Sequence, residues 1–469
     1  MGRILIVGGG AAGMMAGVQA AARGHEVLIF EKNEKLGKKL YITGKGRCNL
    51  TNDCDTDRLL SSVVSNGKFL YSAFHAFDSS RTMSFFEDLG VKLKTERGNR
   101  VFPVSDHSSD IIRALERELT RLGVRVFLHS PVTRLLVRDR RIIGLEIEEK
   151  GKKREVHGDA VILATGGLSY PSTGSTGDGY RFAQELGHKI VTPTPSLVPL
   201  LTKEDYIPRL MGLSLKNTAL VIRKGKKKLY EDFGEMMFTH NGVTGPMILS
   251  ASAYVGKELQ KGELQAFLDL KPGLSPEQLD ARILREFEEA PNRQFKNVIG
   301  SLFPASLTPI MLMLGPVPPE KTIHEITREE RRGFAELIKA FPFTIIGTGS
   351  FQEAVITRGG VNVREVNPST MESKVLEGLF FAGEVLDLDA VTGGFNLQIA
   401  WSTAYAAADG AGEKCSLLGP EDEEPGSFVD RRQEDKGQEK KERQKGESRE
   451  NELSDCDRRP CGGREKHNS

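Results

Sequence analysis

The chain has 469 residues, enough for two or three cores, and its 65 Lys and Arg against 64 Asp and Glu leave a formal net charge of +1. No whole-chain field draws it to DNA, RNA or an anionic membrane, so the sequence predicts no nucleic-acid partner and no stable membrane association, and any such binding has to be local. Its 50 glycines exceed the average share of about 7% and imply many backbone positions with positive φ or a ligand close by.

Residues 3 to 30 read strand, tight turn, helix, strand: RILIV, GGGAAG, MMAGVQAAARG and HEVLIF, with Glu31 closing the second strand. The run ILIV is too short for a signal segment, and no apolar run reaches the roughly 18 residues of a membrane span. Next comes GKKLYITGKGRCNLTN (37–52), which combines Lys38, Lys39, Lys45 and Arg47 with Gly44, Gly46 and Cys48. Its composition suits a redox thiol, a basic patch or a cradle for an anion. A helix is predicted at about 110–122, with Ile111, Ile112, Leu115, Leu119 and Leu122 on one face and Gly123 as its stop. Short strands follow in VRVFLHS, the hairpin around DRRII, and EVHGDAVILATGG.

The texture changes after about residue 190. The proline-punctuated TPTPSLVPL leads into NTALVIR and KLYEDF, alternating strands that predict an antiparallel β insertion. The basic run RKGKKK (223–228) between them lacks interleaved aromatics and reads as a solvated hairpin turn. SPEQLDARILREFEEA opens with a capping box at Ser275 and Gln278, and Thr327 with Glu330 opens another helix in the same way. Strand-turn-helix texture returns from about 350. Beyond 418 almost no apolar residues remain, which predicts a disordered charged tail at 419–469. Cysteines 48, 54, 415, 456 and 461 are odd in number and scattered, so a reducing, cytoplasmic compartment is expected rather than a disulfide framework. Cys456 and Cys461, with His467 nearby, match no usual metal spacing, and no metal site is expected.

Gly8-x-Gly10-x-x-Gly13 stands after a strand and at the start of a helix, with an acid at the end of the next strand, as a dinucleotide fingerprint requires. The first glycine permits the turn, the second lets the backbone approach a pyrophosphate, and the third lets helix pack on strand. Glu31 would take the ribose hydroxyls. GTG at 347–349 lacks a following helix pattern and a distant acid, so a second nucleotide domain is not expected.

Seven motifs in order over residues 1 to about 410 then carry a resemblance: GGGAAGMMA, EKNEKLGKKLYITGKGRCNLTN, RVFPVSD, ATGGLSYPSTGSTGDGY, FTHNGVTGP, RGGVNVREVNPSTMESK and GLFFAGEVLDLDAVTGGFNLQIAWSTAYAA. The chain resembles the flavoprotein family of the bile-acid-dehydroxylation and aminoacetone-oxidase-like FAD enzymes. The resemblance implies an α/β fold: a Rossmann-like FAD-binding domain (1–190 and 350–412), an inserted β-barrel-like domain (191–270 and 336–349) and a small helical domain (271–335). It implies that Gly8, Gly10, Ala11, Ala12 and Gly13 hold the FAD pyrophosphate, Glu31 the ribose and Val132 the adenine. Lys38, Lys39, Thr43, Gly44, Gly46, Arg47 and Asn49 would line the cofactor, the cations together with Lys45 offsetting its charge. Thr165 and Gly166 join them from VILATGG, and Gly383, Glu384 and Asp387 would meet the ribityl region. The helix beginning at Gly394, Phe395, Asn396 and Leu397 would aim its N-terminus at the pyrimidine end of the flavin, with the Asn396 side chain as a further donor.

The activity expected is that of an FAD-dependent oxidoreductase, in first place an NADH- or NADPH-driven reductase of conjugated C=C bonds in 3-oxo steroid or bile-acid-type enones. An amine oxidase using oxygen is the alternative, and a flavin-containing RNA-binding or RNA-modifying protein a third. His240 suits proton donation or an ordinary turn, and Tyr170 could protonate or orient a carbonyl substrate or simply pack. Cys48 fits a small packing residue better than a redox thiol, since Cys54 is not at CxxC spacing. The substrate is a small molecule on this reading, and the sequence is silent on oligomeric state.

Overall fold

The computed structural model describes residues 1–417, so the tail expected from 419 onward, with Cys456 and Cys461, lies outside the described residues. A five-stranded parallel sheet runs in the order Leu379–Phe381, Ala160–Leu163, Arg3–Val7, Glu26–Phe30, Arg125–Phe127. Its central register places Ile4 opposite both Ala160 and Val27, and Val7 opposite Leu163 and Phe30. AVIL and LFF are buried throughout, as strands covered on both faces require. The helix Ala11–Ala22 packs on the long helix Phe395–Leu417. Gly17 lets it close on Ile29 and Leu119, where an added Cβ would lie 2.8 and 3.0 Å from their methyls.

The predicted amphipathic helix spans Ser108–Arg121 and buries Ile111, Ile112, Leu115 and Leu119. EVHGDAVIL, a single strand-like run in the sequence, divides instead. Lys152–His157 pairs antiparallel with Arg141–Glu149, and Ala160–Leu163 enters the parallel sheet. The crossing is made at Gly158, whose backbone passes so close to Leu5 that a Cβ would sit 2.7 Å from its Cγ.

The antiparallel strands Ile190–Ser196 and Ile356–Val361 carry the chain out of the Rossmann-like part and back. Between them Leu200–Thr202, Gly242–Thr244, Lys227–Phe238, Ser214–Lys224, Leu264–Asp269 and Phe341–Thr348 close into a six-stranded barrel. RKGKKK forms the tip of its long hairpin, with Lys224 opposite Lys227. Lys224 pairs with Glu258 and Lys228 with Glu231. Helices Pro276–Glu288 and Arg328–Lys339, both opened by the predicted capping boxes, stand between two neighbouring barrel strands. Their Leu279, Ile283 and Phe334 share one core with Leu220, Phe238 and Phe341 of the barrel. No helix among the described residues is long and apolar enough to cross a membrane.

Candidate functional site

The loops leaving the C-terminal ends of Arg3–Val7, Ala160–Leu163 and Leu379–Phe381 open onto a cavity of about 850 Å³. Ligands of open α/β sheets bind at this edge. The opposite wall comes from the insertion and its connecting strands, through Leu197, Pro199, Thr244, Leu249, Val355 and Ile356. The cavity therefore lies between the two parts of the chain, where ligand sites are common.

The glycine turn tests whether a dinucleotide fits. At Gly8 (φ 104°) a Cβ would meet the Ala164 carbonyl at 2.6 Å, and at Gly13 it would meet the Gly8 carbonyl at 1.8 Å. Both serve packing, and Gly13 is absent from the cavity wall. Gly10 differs. It lines the cavity, and a Cβ there would have no protein atom within 4 Å, so its backbone leaves room for a ligand to approach closely. The first intrahelical bond of this helix runs from Met14 N–H to the Gly10 carbonyl, leaving the N–H groups of Ala11 and Ala12 at the cavity wall, suited to an anion. Glu31, 8% exposed, accepts from Gly9 N–H (2.8 Å) and from the backbone and side-chain nitrogens of Asn33 (2.8 and 2.7 Å). These donors hold its carboxylate beside the turn. Val132, Thr165 and Gly166 complete this end. The donors, the fixed acid and the room in front of Gly10 fit the pyrophosphate and ribose of FAD.

Lys38, Lys39, Thr43, Gly44, Lys45 and Asn49 all reach the wall. Lys39 Nζ lies 2.6 Å from Glu384 Oε2 and 2.5 Å from Ser169 Oγ. The other Glu384 oxygen accepts from Ser169 Oγ (2.8 Å) and Thr357 N–H (2.6 Å), tying the strap after Leu379–Phe381 to the returning strand. Neither Ser169 nor Thr357 is marked as a site residue by any motif spacing in the sequence. Ser169 lies inside the quoted GLSYPSTG motif, but nothing in its spacing marks its partners.

Arg47 corrects the expectation that it offsets ligand charge. Its guanidinium stacks 4.2 Å from the Phe102 ring and donates to Asp106 (2.8 Å) and Glu96, outside the cavity wall. The Arg47 hydrogen bond holds the Glu96 carboxyl below its usual range. Gly46 (φ 84°) is likewise absent from the wall and serves the turn. Cys48 is fully buried at φ 59°, and burial pushes its thiol up to about 12, so it remains a protonated packing group at neutral pH.

At the far end Gly393, Gly394, Asn396 and Leu397 line the cavity at the start of the long helix, whose first i to i−4 bond is Gln398 N–H to the Gly394 carbonyl. Gly394 (φ 99°) lies against Thr51, where a Cβ would be 2.3 Å from the carbonyl. The Asn396 side chain is not the free donor expected from the sequence. Its amide donates to the carbonyls of Ala390 (2.9 Å) and Val391 (3.2 Å) and accepts from Ala390 N–H (3.0 Å), so it braces the preceding loop. Behind it Gln398 accepts from Thr51 and Thr82 and donates to the Phe77 carbonyl and Ser402, and Trp401 donates to the Leu50 carbonyl. This buried network fixes the direction of the helix N-terminus.

Three further residues fall elsewhere. Phe395 is buried under Gly393 and does not reach the cavity. Asp387 is held by Asn66 through its carbonyl (2.7 Å) and carboxylate (3.0 Å), and its half-buried carboxyl is raised by desolvation behind the wall. His240 sits exposed in the turn between Lys227–Phe238 and Gly242–Thr244, outside the cavity, because the barrel presents Thr244 and not the hairpin tip to the site. Gly383 and Tyr170 do line the cavity. Tyr170 holds a left-handed conformation (φ 51°, ψ 63°), anchored by its N–H to the Phe351 carbonyl (3.1 Å) and by Thr173 Oγ1 to its own carbonyl (2.8 Å).

A family model described as HI0933-like protein Rossmann domain matches residues 2–410 of this chain. The chain belongs to the HI0933-like family. Over 423 residues the chain is 33% identical to the 3-dehydro-bile acid delta(4,6)-reductase of Clostridium scindens, covering 88% of this chain and all of that one. It is 30% identical over 408 residues to the ribosomal RNA dihydrouridine synthase of Haemophilus influenzae, covering 86% and 97% of the two chains. The enzyme of the same name from Escherichia coli is 28% identical over 410 residues, covering 86% and 96%. This HI0933-like protein is accordingly an FAD-dependent oxidoreductase, and the residues around Gly10 fit that cofactor.

Proposed function

We propose that the protein reduces a carbon–carbon double bond conjugated to a carbonyl, in a 3-oxo steroid or bile-acid-type enone, with NADH or NADPH as electron donor. The observation that carries this reading is the continuity of the cavity. Its cofactor-shaped cradle runs into a wall of Leu197, Leu249, Val355 and Ile356 that suits a hydrocarbon skeleton and keeps water away. Bound FAD supplies the hydride chemistry. Tyr170, the only phenol of this wall among the described residues, hydrogen-bonds the substrate carbonyl or delivers a proton as the enolate forms, and its anchored backbone holds the Cα in one place. GTG 347–349 lies at the end of a barrel strand, and the pyridine nucleotide and the enone use the same cavity in turn.

Two relatives carry the name ribosomal RNA dihydrouridine synthase, which supports a second reading. Dihydrouridine is uridine whose C5=C6 bond, conjugated to the C4 carbonyl, has been reduced, so the bond chemistry is the same and only the carrier differs.

The test is anaerobic reduction of the yellow protein by NADH or NADPH, followed by separate reoxidation with 3-oxo-4-ene and 3-oxo-4,6-diene steroids, unmodified ribosomal RNA and oxygen. Fast reoxidation by an enone is expected, with parallel-line steady-state kinetics. Reoxidation by RNA alone moves the assignment to the second reading. Anaerobic reduction by an amine instead of a nicotinamide identifies an oxidase and ends both.

A further inference from the structure

Among the described residues four lysines line the cavity: Lys32, Lys38, Lys39 and Lys45. Three are committed to carboxylates, Lys32 to Asp178 (2.5 Å), Lys38 to Glu34 (3.3 Å) and Lys39 to Glu384 (2.6 Å). Lys45 has no ion pair or hydrogen bond from its ammonium among the described residues, and it is exposed at the rim. Its backbone is as unusual as its charge. Gly44 (φ 58°, ψ 30°), Lys45 (φ 59°, ψ 40°) and Gly46 (φ 84°) are three successive residues in the left-handed region. A lysine between two glycines there carries strain that a third glycine would avoid, and strain of this kind is retained where a side chain is needed at a fixed point.

The position of the loop says which end of the cavity Lys45 serves. Gly44 lies against Asn49, where a Cβ would be 3.0 Å from its backbone nitrogen. With its amide oriented to satisfy both neighbours, Asn49 accepts from Gly394 N–H (3.0 Å) and donates to the Thr51 carbonyl (3.2 Å). Lys45 therefore belongs beside the start of the long helix. The pyrophosphate cradle at Gly10 and Ala11 is built by other neighbours, with Leu36 and Glu31 flanking Gly9. An exposed ammonium on a loop tied to the start of the long helix, with no counter-charge among the described residues, is free to receive an anion that arrives with the substrate.

We propose that Lys45 is the specificity-determining residue that pairs with a carboxylate on the enone substrate, selecting acidic substrates over neutral ones of the same skeleton. The inference rests on the enone reading above, and its test is made first on binding so that the two fail separately. The probes are 3-oxo-4-cholenoic acid and its methyl ester, titrated against the oxidised FAD-loaded protein by perturbation of the flavin spectrum, for the natural chain, Lys45→Met and Lys45→Gly. Removing one charge-assisted contact is expected to raise the Kd of the acid about tenfold or more, leave that of the ester within about twofold, and abolish the salt dependence of acid binding. Lys45→Gly is expected to melt no lower than the natural chain, because it relieves a left-handed lysine.

Equal weakening of acid and ester overturns the proposal, as does a shift of the flavin midpoint potential in both variants, which would assign Lys45 to the cofactor. Failure of the acid to bind the natural chain overturns it as well. If the acid binds and discriminates as expected but neither probe reoxidises the reduced protein, the enone reading falls while Lys45 stands as an anion-recognition residue.

Discussion

Lys39 and Glu384 are 345 positions apart in the chain and meet at 2.6 Å inside the cavity, joining the two ends of the sequence across the site. Both side chains are 20% exposed, so neither charge is screened as a surface pair would be. Glu384→Ala leaves Lys39 with Ser169 but without its counter-charge and leaves Thr357 N–H without an acceptor, and should cost about 2 kcal/mol in urea unfolding of the FAD-loaded protein. Glu384→Gln keeps an acceptor for Ser169 and Thr357 and should cost less than half as much. A double-mutant cycle with Lys39→Met that returned no coupling would remove the pair from the account of stability.

The glycines of the first turn should separate cofactor binding from folding. Gly10 has φ −80° and ψ −167°, which alanine adopts freely, and its Cβ would point into the cavity. Gly10→Ala should melt as the natural apoprotein does while raising the FAD Kd by about ten- to a hundredfold, the effect of about 1–3 kcal/mol of overpacking. Gly13→Ala should instead lower apoprotein stability by about 3 kcal/mol, since its methyl meets the Gly8 carbonyl. Thermal unfolding of the two apoproteins, with flavin fluorescence titrations, distinguishes these outcomes.

Tyr170 and His240 give opposite expectations. Tyr170→Phe should lower kcat for enone reduction about a hundredfold at unchanged FAD affinity, the size of a lost proton donor. His240→Ala, altering an exposed turn outside the cavity, should leave kcat, KM and stability unchanged within about 0.5 kcal/mol. Rapid-mixing traces of enone-driven reoxidation compare the two directly.

The buried thiol predicts the alkaline behaviour of the fold. Burial raises Cys48 from 9.0 to about 12, so above pH 9 the unfolded chain releases a proton that the folded chain retains. Its contribution is constant below pH 9, and stability falls as the pH rises from 9 toward 12. Cys48→Ser should flatten that fall in denaturant midpoints measured at pH 8, 9 and 10. The native thiol should stay unalkylated by iodoacetamide at pH 8 when its peptide is followed by mass spectrometry.

What the sequence made legible was local. The Gly8 to Gly13 turn, the capping boxes at Ser275 and Thr327 and the hairpin around RKGKKK each depend on residues a few positions apart, and each forms as read. Arg47 departs from its expected role because its partners come from a small antiparallel sheet: Glu96 ends the strand Leu93–Glu96, and Asp106 follows Arg100–Pro103. No spacing rule links them to residue 47. Asn396 was placed at the site, but its amide is consumed by the loop at Ala390 and Val391, a competition between hydrogen-bond partners that only three-dimensional proximity decides. The apolar wall from Leu197 to Ile356 was invisible for the same reason, being assembled from both connecting strands and the barrel.

The order of strands in the parallel sheet also places the last wall of the cavity late in the chain. Leu379–Phe381 must pair with Ala160–Leu163, and the long helix must reach Leu50 and Thr51, before the cavity has its last wall. A chain emerging from the ribosome can close the barrel once Phe341–Thr348 has appeared, whereas the flavin cradle waits for residues beyond Leu397. Such distant pairings carry a high loop-closure cost and form late. The residues that complete the cavity wall at the start of the long helix are thus synthesised only after every strand of the barrel.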